Sequence, residues 1–316
     1  MQIIANLGAD VDSRYLVIAC AEHSFAPKTI ANERRAIVSW LRGIPRGTRL
    51  GLEATGAYHE LLADLAHAAG LQVFVINARD LRRYAQGVGQ RGKTDRIDAE
   101  VIARYVSREH AELHAYQPPS KEQRALSRLI KRRAKLVALK GALTQSLRGL
   151  PSVRQEVKQV TLRLDRLIGQ IETMIQRVLQ QLPAAHQAAQ QIATIPGFGP
   201  LGSTCLAHSF TRIPYANVNA VVAHTGLDPR PDDSGKKTGR RRLSKRGPSE
   251  QRRILFNCAM SAAKTKLWRP YYQAQRAKGL SSTAAVVILA RKMVRVAFAL
   301  YKRDQPFNPN HLANAA

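Results

Sequence analysis

The chain has 316 residues, of which 45% are hydrophobic, so it is long enough for about two domains and apolar enough for packed cores, which excludes global disorder. Lys and Arg total 50 and Asp and Glu total 22, giving a formal net charge of +28. This excess predicts a polyanionic partner, usually nucleic acid, and disfavours a membrane role because no apolar run reaches the roughly 18 residues of a spanning helix.

The first third of the chain alternates between strand-like and helix-like segments. Strands are predicted at 3–9, 15–21, 49–53 and 71–76, and helices at 31–41 and 57–69. The first two strands flank a short polar turn and are predicted to form a hairpin. The near-continuous apolar run of the last strand is typical of a strand that is covered on both faces. We therefore predict an α/β domain with a central sheet over residues 1–117.

A long helical segment follows the break at Pro118-Pro119. Its second half carries an apolar seam with alternating spacings of four and three: Val153, Val157, Val160, Leu164, Leu167, Ile171, Met174 and Val178. Such a heptad seam predicts a coiled coil. An antiparallel partner is available at Leu126, Leu129, Ile130, Leu136 and Leu143. We predict a coiled coil or helical hairpin over residues 118–185, and the seam itself leaves open whether its partner lies in the same chain or in a second copy.

Residues 186–316 have a mostly helical pattern that a basic loop interrupts at about 228–250. The turn at 195–200 resembles a helix-hairpin-helix turn, in which the backbone amides of Gly197 and Gly199 would meet a DNA phosphate. An ordinary glycine turn between two helices is the alternative.

Four acidic residues occupy positions that suit metal-dependent chemistry. Asp10 and Glu53 end apolar strands, and Asp95 and Asp98 lie at the start of a helix with a spacing that puts them on one face. A carboxylate at the end of an apolar strand needs a partner, and a shared Mg²⁺ (or Mn²⁺) would supply one. The combination matches the plan of a ribonuclease-H-like nuclease. The alternatives are a turn shared by Asp10 and Asp12, capping of the helix by Asp98, and an arginine partner for Glu53.

The basic loop predicts a nucleic-acid contact. Between residues 236 and 253 stand nine basic residues and a single acid, the basic ones being Lys236, Lys237, Arg240, Arg241, Arg242, Lys245, Arg246, Arg252 and Arg253. Ser234 lies just before them, with Gly235 after it and Asp232 and Asp233 before it. A dense cationic field would attract a scissile phosphate and lower the pKa of a hydroxyl beside it, although a Ser-Gly pair in a polar loop more often forms a turn.

Six motifs occur in order along nearly the whole chain: Gly8-Ala9-Asp10, Leu52-Glu53-Ala54-Thr55-Gly56, Lys93-Thr94-Asp95-Arg96-Ile97-Asp98-Ala99, Ile195-Pro196-Gly197-Phe198-Gly199, Thr225-Gly226-Leu227-Asp228-Pro229-Arg230 and Ser234-Gly235. Together they resemble the motifs of DEDD transposases of the insertion-sequence 110 type, to which the Piv/MooV invertases are related. The resemblance implies a RuvC-like (ribonuclease-H-like) N-terminal domain, a coiled-coil insert and a mostly helical C-terminal transposase domain.

The resemblance also implies a reaction. A metal tetrad would consist of Asp10, Glu53, Asp95 and Asp98, and the nucleophile would be Ser234, which would form a covalent phosphoserine link to DNA before exchange and religation. Members of this family act as homodimers or homotetramers that bring the tetrad and the serine together from different subunits. Characterised members are guided by a structured RNA that pairs with target and donor DNA.

Two other functions remain open at this point. A RuvC-like junction-resolving nuclease would use the same acids with water as the nucleophile, and a non-catalytic DNA-binding protein would need neither. The cysteines, Cys20, Cys205 and Cys258, are far apart and odd in number, and they predict reduced, mostly buried thiols in a cytoplasmic protein.

Overall fold

The computed structural model describes residues 5–22, 26–54, 56–90, 92, 94–231, 233–234, 239 and 241–310. The chain divides into two compact units, Met1–Pro118 and Pro119–Ala316. Among the helices so described, none combines the length and the apolar character needed to cross a membrane.

A five-stranded mixed sheet forms the centre of the first unit. Its strands are β1 (Asn6–Val11), β2 (Tyr15–Cys20), β3 (Lys28–Ala31), β4 (Arg49–Glu53) and β5 (Gln72–Ile76), in the order β3-β2-β1-β4-β5. β1 and β2 form the predicted hairpin, whereas β1, β4 and β5 run parallel to one another. The sequence analysis missed β3, because this edge strand is short and largely exposed and therefore shows no apolar alternation.

Helices cover both faces of the sheet. They are α1 (Arg34–Leu41), α2 (Glu60–Ala68), α3 (Ala78–Gly87) and α4 (Asp95–Glu109). Leu7 and Ala9 of β1 belong to one buried cluster with side chains of α1 and α2, such as Trp40 and Leu62. Gly8, which lies between them on β1, therefore faces the opposite side of the sheet, which α4 covers. Burial on both sides explains the apolar strands and confirms the predicted α/β architecture.

Two glycines allow α4 to lie directly against the sheet. A Cβ atom built on Gly8 would stand 2.2 Å from the carbonyl oxygen of Ala99 and 2.2 Å from the amide nitrogen of Ala103. A Cβ on Gly51 would stand 2.5 Å from a methyl carbon of Val106. Any larger residue at Gly8 would collide with helix backbone, which cannot rotate away as a side chain can. The two glycines therefore fix the distance between α4 and the centre of the sheet.

The second unit begins with a helical hairpin of α5 (Lys121–Ser146) and α6 (Arg154–Gln180), joined through a 3₁₀ turn at Pro151–Val153. The two helices pack against each other, and ion pairs connect them at Arg133–Glu172 (2.8 Å) and Lys140–Asp165 (2.6 Å). The intramolecular hairpin left open by the sequence is therefore present in the fold.

The remainder of this unit is helical apart from a two-stranded ribbon. Its elements are α7 (Pro183–Ala193), α8 (Pro200–Arg212), α9 (Val218–Thr225), β6 (Pro229–Arg230), β7 (Arg242–Leu243), α10 (Ser249–Ala262), α11 (Arg269–Ala277) and α12 (Ser282–Arg303). Ile175 and Leu179 of α6 join the same core as Leu206 of α8 and Leu289 of α12. All three cysteines are free and buried, as predicted.

Candidate active site

The first two acids lie side by side at the carboxyl ends of parallel strands. Ala9 of β1 pairs with Leu52 of β4, so the next residues in register are Asp10 and Glu53. Each stands two positions after one of the glycines under α4, and side chains two apart point to the same face of a sheet. Both carboxylates are half-buried on the face that α4 covers.

The other two acids come from the first turn of α4. Thr94 caps the helix, its hydroxyl accepting a hydrogen bond from the amide of Ile97 at 3.2 Å. This cap leaves Asp95 and Asp98 in the first turn, where the positive end of the helix dipole favours carboxylates. The capping alternative for Asp98 is therefore wrong.

The negative charges of the other three acids act on the pKa of Asp10. The pKa is raised from 3.8 to about 6, mostly by burial and then by the negative charges of Asp95, Asp98 and Glu53 in that order. Among the residues described, no three His, Cys, Asp or Glu side chains are grouped closely enough to hold a metal ion as they stand. The donor set nevertheless has the chemistry that Mg²⁺ or Mn²⁺ prefers, since all four groups are carboxylates and a divalent cation would offset their mutual repulsion.

Asp12 and Tyr15 border this cluster in different ways. The Asp12 carboxylate accepts hydrogen bonds from the amide of Arg14 (3.0 Å) and the hydroxyl of Ser13 (3.2 Å), and the first of these bonds lowers its pKa most. Asp12 thus organises the β1–β2 turn. The Tyr15 hydroxyl donates to Asp95 Oδ2 at 3.2 Å. The sequence analysis treated Tyr15 only as the start of an apolar strand, and no local pattern links it to a carboxylate 80 residues away.

A cavity of about 260 Å³ opens beside the acids. Glu53 and Asp98 line one side of it, and Arg82, Gln86 and Gln90, on α3 and the turn after it, line another. Within the described part of the chain Glu53 forms no ion pair, so the arginine partner considered for it is not found there.

The predicted serine lies on the loop that joins β6 and β7. Ser234 is exposed, and its neighbour Asp233 accepts hydrogen bonds from Arg241 Nη1 (2.6 Å) and the amide of Gly239 (3.1 Å). The bond from Arg241 is the main cause of the lowered pKa of Asp233. Asp233 therefore ties the loop together and stays ionised, which makes it a poor proton acceptor for the serine.

The base of this loop is fixed by close backbone packing. Gly226 ends α9 in the left-handed conformation (φ 69°), and a Cβ there would stand 2.8 Å from the amide nitrogen of Gly247. The Asp228 carboxylate accepts a hydrogen bond from the Ser244 hydroxyl, and the Asp228 backbone carbonyl accepts one from the Ser244 amide at 2.9 Å. The Thr225–Arg230 motif is thus a structural base for the loop that carries the serine.

Four basic residues that the structure describes between the serine and α10 are exposed, namely Arg241, Arg242, Lys245 and Arg246, whereas Arg252 and Arg253 are part of α10 and half-buried. Lys236, Lys237 and Arg240 lie outside the described residues. Gly197 and Gly199 lie in the turn between α7 and α8. Gly197 has a φ of +104° and packs so tightly on α10 that a Cβ would stand 2.5 Å from that of Ala262, whereas the Cα of Gly199 faces open space.

Two family models match the chain in the order of its two units. Residues 15–153 match a model of IS110-type DEDD transposases, described as "Transposase", and residues 189–273 match "Transposase IS116/IS110/IS902 family". The chain belongs to the IS110 family of DEDD transposases. Glu53, Asp95 and Asp98 lie within the first matched segment and Ser234 within the second, whereas Asp10 precedes the first.

Similar proteins cover most of this transposase. The pilin gene-inverting protein of Moraxella lacunata is 27% identical over 266 residues, which are 81% of each chain. The transposase for insertion sequence element IS1328 of Yersinia enterocolitica is 28% identical over 76% of this chain and 79% of its own. The transposase is therefore an enzyme of DNA phosphoryl transfer, with a ribonuclease-H-like domain followed by a helical domain, and it binds DNA.

The electrostatic coupling of the acids gives a first prediction. Replacing Asp95 by Asn removes the strongest negative neighbour of Asp10, so the pKa of Asp10 falls from about 6 toward 3.8. The carboxyl ¹³C chemical shift, followed against pH in metal-free protein, measures it. Because the folded-state pKa lies above the unfolded one, the wild type loses stability as pH rises from about 4 to about 6, and the variant loses less. The exposed Glu112→Gln is the charge-matched control, and an unchanged Asp10 pKa in Asp95→Asn would contradict the coupling.

Proposed function

We propose that this transposase cleaves and rejoins DNA with Ser234 as the nucleophile, at a site where Asp10, Glu53, Asp95 and Asp98 hold Mg²⁺ or Mn²⁺. The observation that supports the proposal most is the placement of four carboxylates on the α4 side of the sheet, where burial and then the negative charges of Asp95, Asp98 and Glu53 raise the pKa of Asp10 to about 6. Four carboxylates on one side of a sheet repel one another, and a divalent cation would offset that repulsion, which favours a cation-binding role.

The reaction would begin with attack of Ser234 Oγ on a backbone phosphorus. A serine–phosphate bond forms as the bond from phosphorus to one deoxyribose oxygen breaks, and the serine proton is transferred in net terms to the departing hydroxyl. The reverse attack, by a hydroxyl of a second strand, releases the serine and joins the new pair of ends. A bound divalent cation would supply Lewis-acid stabilisation of the charge on the phosphate.

The basic loop would bind the phosphates that flank the cleaved bond. Arg241 and Arg242 are exposed beside the serine loop, and we include Lys236, Lys237, Arg240, Lys245 and Arg246 in the same contact. The ion pair of Arg241 with Asp233 would hold the loop in one shape while the basic side chains bind DNA. At the α7–α8 turn we assign phosphate binding to the backbone at Gly199, and Gly197 would serve the geometry of that turn.

We propose that the seam of α6 joins two copies of the chain. Val160, Leu167 and Met174, spaced by seven, are 46%, 42% and 47% exposed, although the hairpin partner α5 packs on the same helix. A second copy would bury this row. Leu167→Glu should shift the protein from dimer or tetramer toward monomer in sedimentation velocity. Leu162 is 51% exposed and lies off the seam, so Leu162→Glu should leave the oligomeric state unchanged. An equal shift toward monomer in both variants would contradict the interface.

The transposase would act on element ends and target DNA, and inversion of a DNA segment is included because of its similarity to pilin gene-inverting proteins. We also propose that a structured guide RNA selects the DNA, as the family resemblance implies. Recombination of purified protein that depends on added RNA from the non-coding end of the element would support this, and full activity of nuclease-treated protein without RNA would contradict it.

The deciding experiment follows the cleaved DNA in a denaturing gel. Radiolabelled element-end DNA incubated with the enzyme and Mg²⁺ should give a protein–DNA band that protease digestion removes, and mass spectrometry should find the nucleotide on the peptide that contains Ser234. EDTA should prevent the band. Free cleaved ends without attached protein would instead indicate water as the nucleophile, as in a junction-resolving nuclease.

A further inference from the structure

One face of α3 forms a wall of the cavity beside the acids. Ala78, Arg82, Ala85 and Gln86 lie on this face, spaced by three and four residues, and all line the cavity. Leu81 anchors the helix in the core on the α4 side of the sheet. Because that packing fixes the rotation of α3, the side chains at 82 and 86 border the space into which Glu53 and Asp98 also open.

Arg82 is available for a ligand. It is exposed, and within the described residues it makes no hydrogen bond or ion pair. The carboxylates of Glu53 and Asp98 line the same cavity, yet neither is within ion-pair distance of the guanidinium. The cavity therefore has an acidic wall and a wall that offers a guanidinium and an amide. The acidic wall suits metal cations, whereas the second suits the oxygens of an anion.

We propose that Arg82 is a positioning residue that binds a backbone phosphate neighbouring the scissile one, with the Gln86 amide as a second donor. A guanidinium presents donors in a planar fork that matches phosphate oxygens, and a strand crossing the acids needs such an anchor on their open side. This inference rests on the proposed function, because it takes the acids as the place where the scissile phosphate lies. Its effect is to hold the strand at the site, and Arg82 does not touch the reacting atoms.

Arg83 provides a matched control. It is the next residue of the same helix, is exposed and carries the same charge, but it does not line the cavity. Arg82→Ala and Arg83→Ala change the net charge of the protein equally. A difference between them therefore reports on position and not on the general attraction of a basic protein for DNA.

The test combines these variants with DNA in which single phosphates are replaced by neutral methylphosphonates. In single-turnover cleavage with Mg²⁺, Arg82→Ala should raise the half-saturating DNA concentration by about tenfold and leave the plateau rate within about threefold, as expected for lost ground-state binding. The slope of log affinity against log salt concentration should fall by about one. Arg82→Lys should recover part of the affinity, because it keeps the charge and loses the fork.

Scanning the methylphosphonate along the strand identifies the contact. At one position next to the scissile phosphate, the methylphosphonate should raise the half-saturating DNA concentration of the wild type and of Arg83→Ala. It should have no further effect on that concentration in Arg82→Ala. If no position shows this dependence on Arg82, or if Arg83→Ala abolishes it equally, the inference is overturned. Failure of the proposed function is distinguishable, because it would appear as metal-dependent cleavage that survives Glu53→Gln whatever happens at Arg82.

Discussion

Replacing Ser234 by alanine should abolish the covalent protein–DNA product and lower recombination by more than about 10⁴-fold, because it removes the hydroxyl that would form the phosphoester. Binding of uncleaved DNA should stay within about twofold, since the hydroxyl carries no charge and the basic side chains remain. Folding should be unaffected, because the side chain is exposed and the loop is held by Asp233, Arg241 and the backbone at Gly226. The measurements are the denaturing gel for linkage and fluorescence anisotropy for binding.

Ser249→Ala is the control for this variant. Ser249 is also exposed, begins α10 and donates a hydrogen bond to Glu250 at 3.2 Å, so the substitution removes a hydroxyl without touching the loop. It should cleave and link DNA as the wild type does. Full linkage by Ser234→Ala would exclude this serine as the nucleophile. Cleavage without linkage in both the wild type and Ser234→Ala would favour water.

The sequence predicted the parts of the fold in which periodicity and burial coincide. The β1–β2 hairpin, the strand ending at Glu53 and the helix beginning at Asp95 follow from apolar runs interrupted by polar residues. β3 could not be found in this way, because four largely exposed residues at a sheet edge bury too little to leave a pattern.

The sequence pointed to the acids of the candidate site but not to the residues that position them. Asp10 and Glu53 were conspicuous because they end apolar strands. The role of the glycines two positions earlier was not apparent from the sequence, since only the packing of α4 on the sheet shows that Gly8 and Gly51 must lack a Cβ. The bond from Tyr15 to Asp95 likewise depends on tertiary structure. The sequence does contain one signal for the glycines, because each of these two acids stands two residues after a glycine in the same strand.

Glu53→Gln and Asp98→Asn should each lower Mg²⁺-dependent cleavage by at least about 10³-fold, because each replaces a charged oxygen ligand by a neutral amide of the same shape. Removing either negative charge also lowers the pKa of Asp10, so the loss cannot come from a more protonated Asp10. In the absence of metal Glu53→Gln should be at least as stable as the wild type, since one repulsive charge has been removed. Addition of Mg²⁺ should then raise the unfolding temperature of the wild type and leave that of the variants nearly unchanged.

This combination separates metal binding from a structural role for the acids. A carboxylate that merely supported the fold would lower stability when neutralised, with or without Mg²⁺. Neutralising a metal ligand lowers only the stabilisation that Mg²⁺ confers. Glu112→Gln, an exposed and charge-matched change in the same unit, should keep both cleavage and the Mg²⁺ response. If Glu53→Gln and Asp98→Asn also keep both, the four carboxylates do not act as a metal site, and their convergence under α4 needs another explanation.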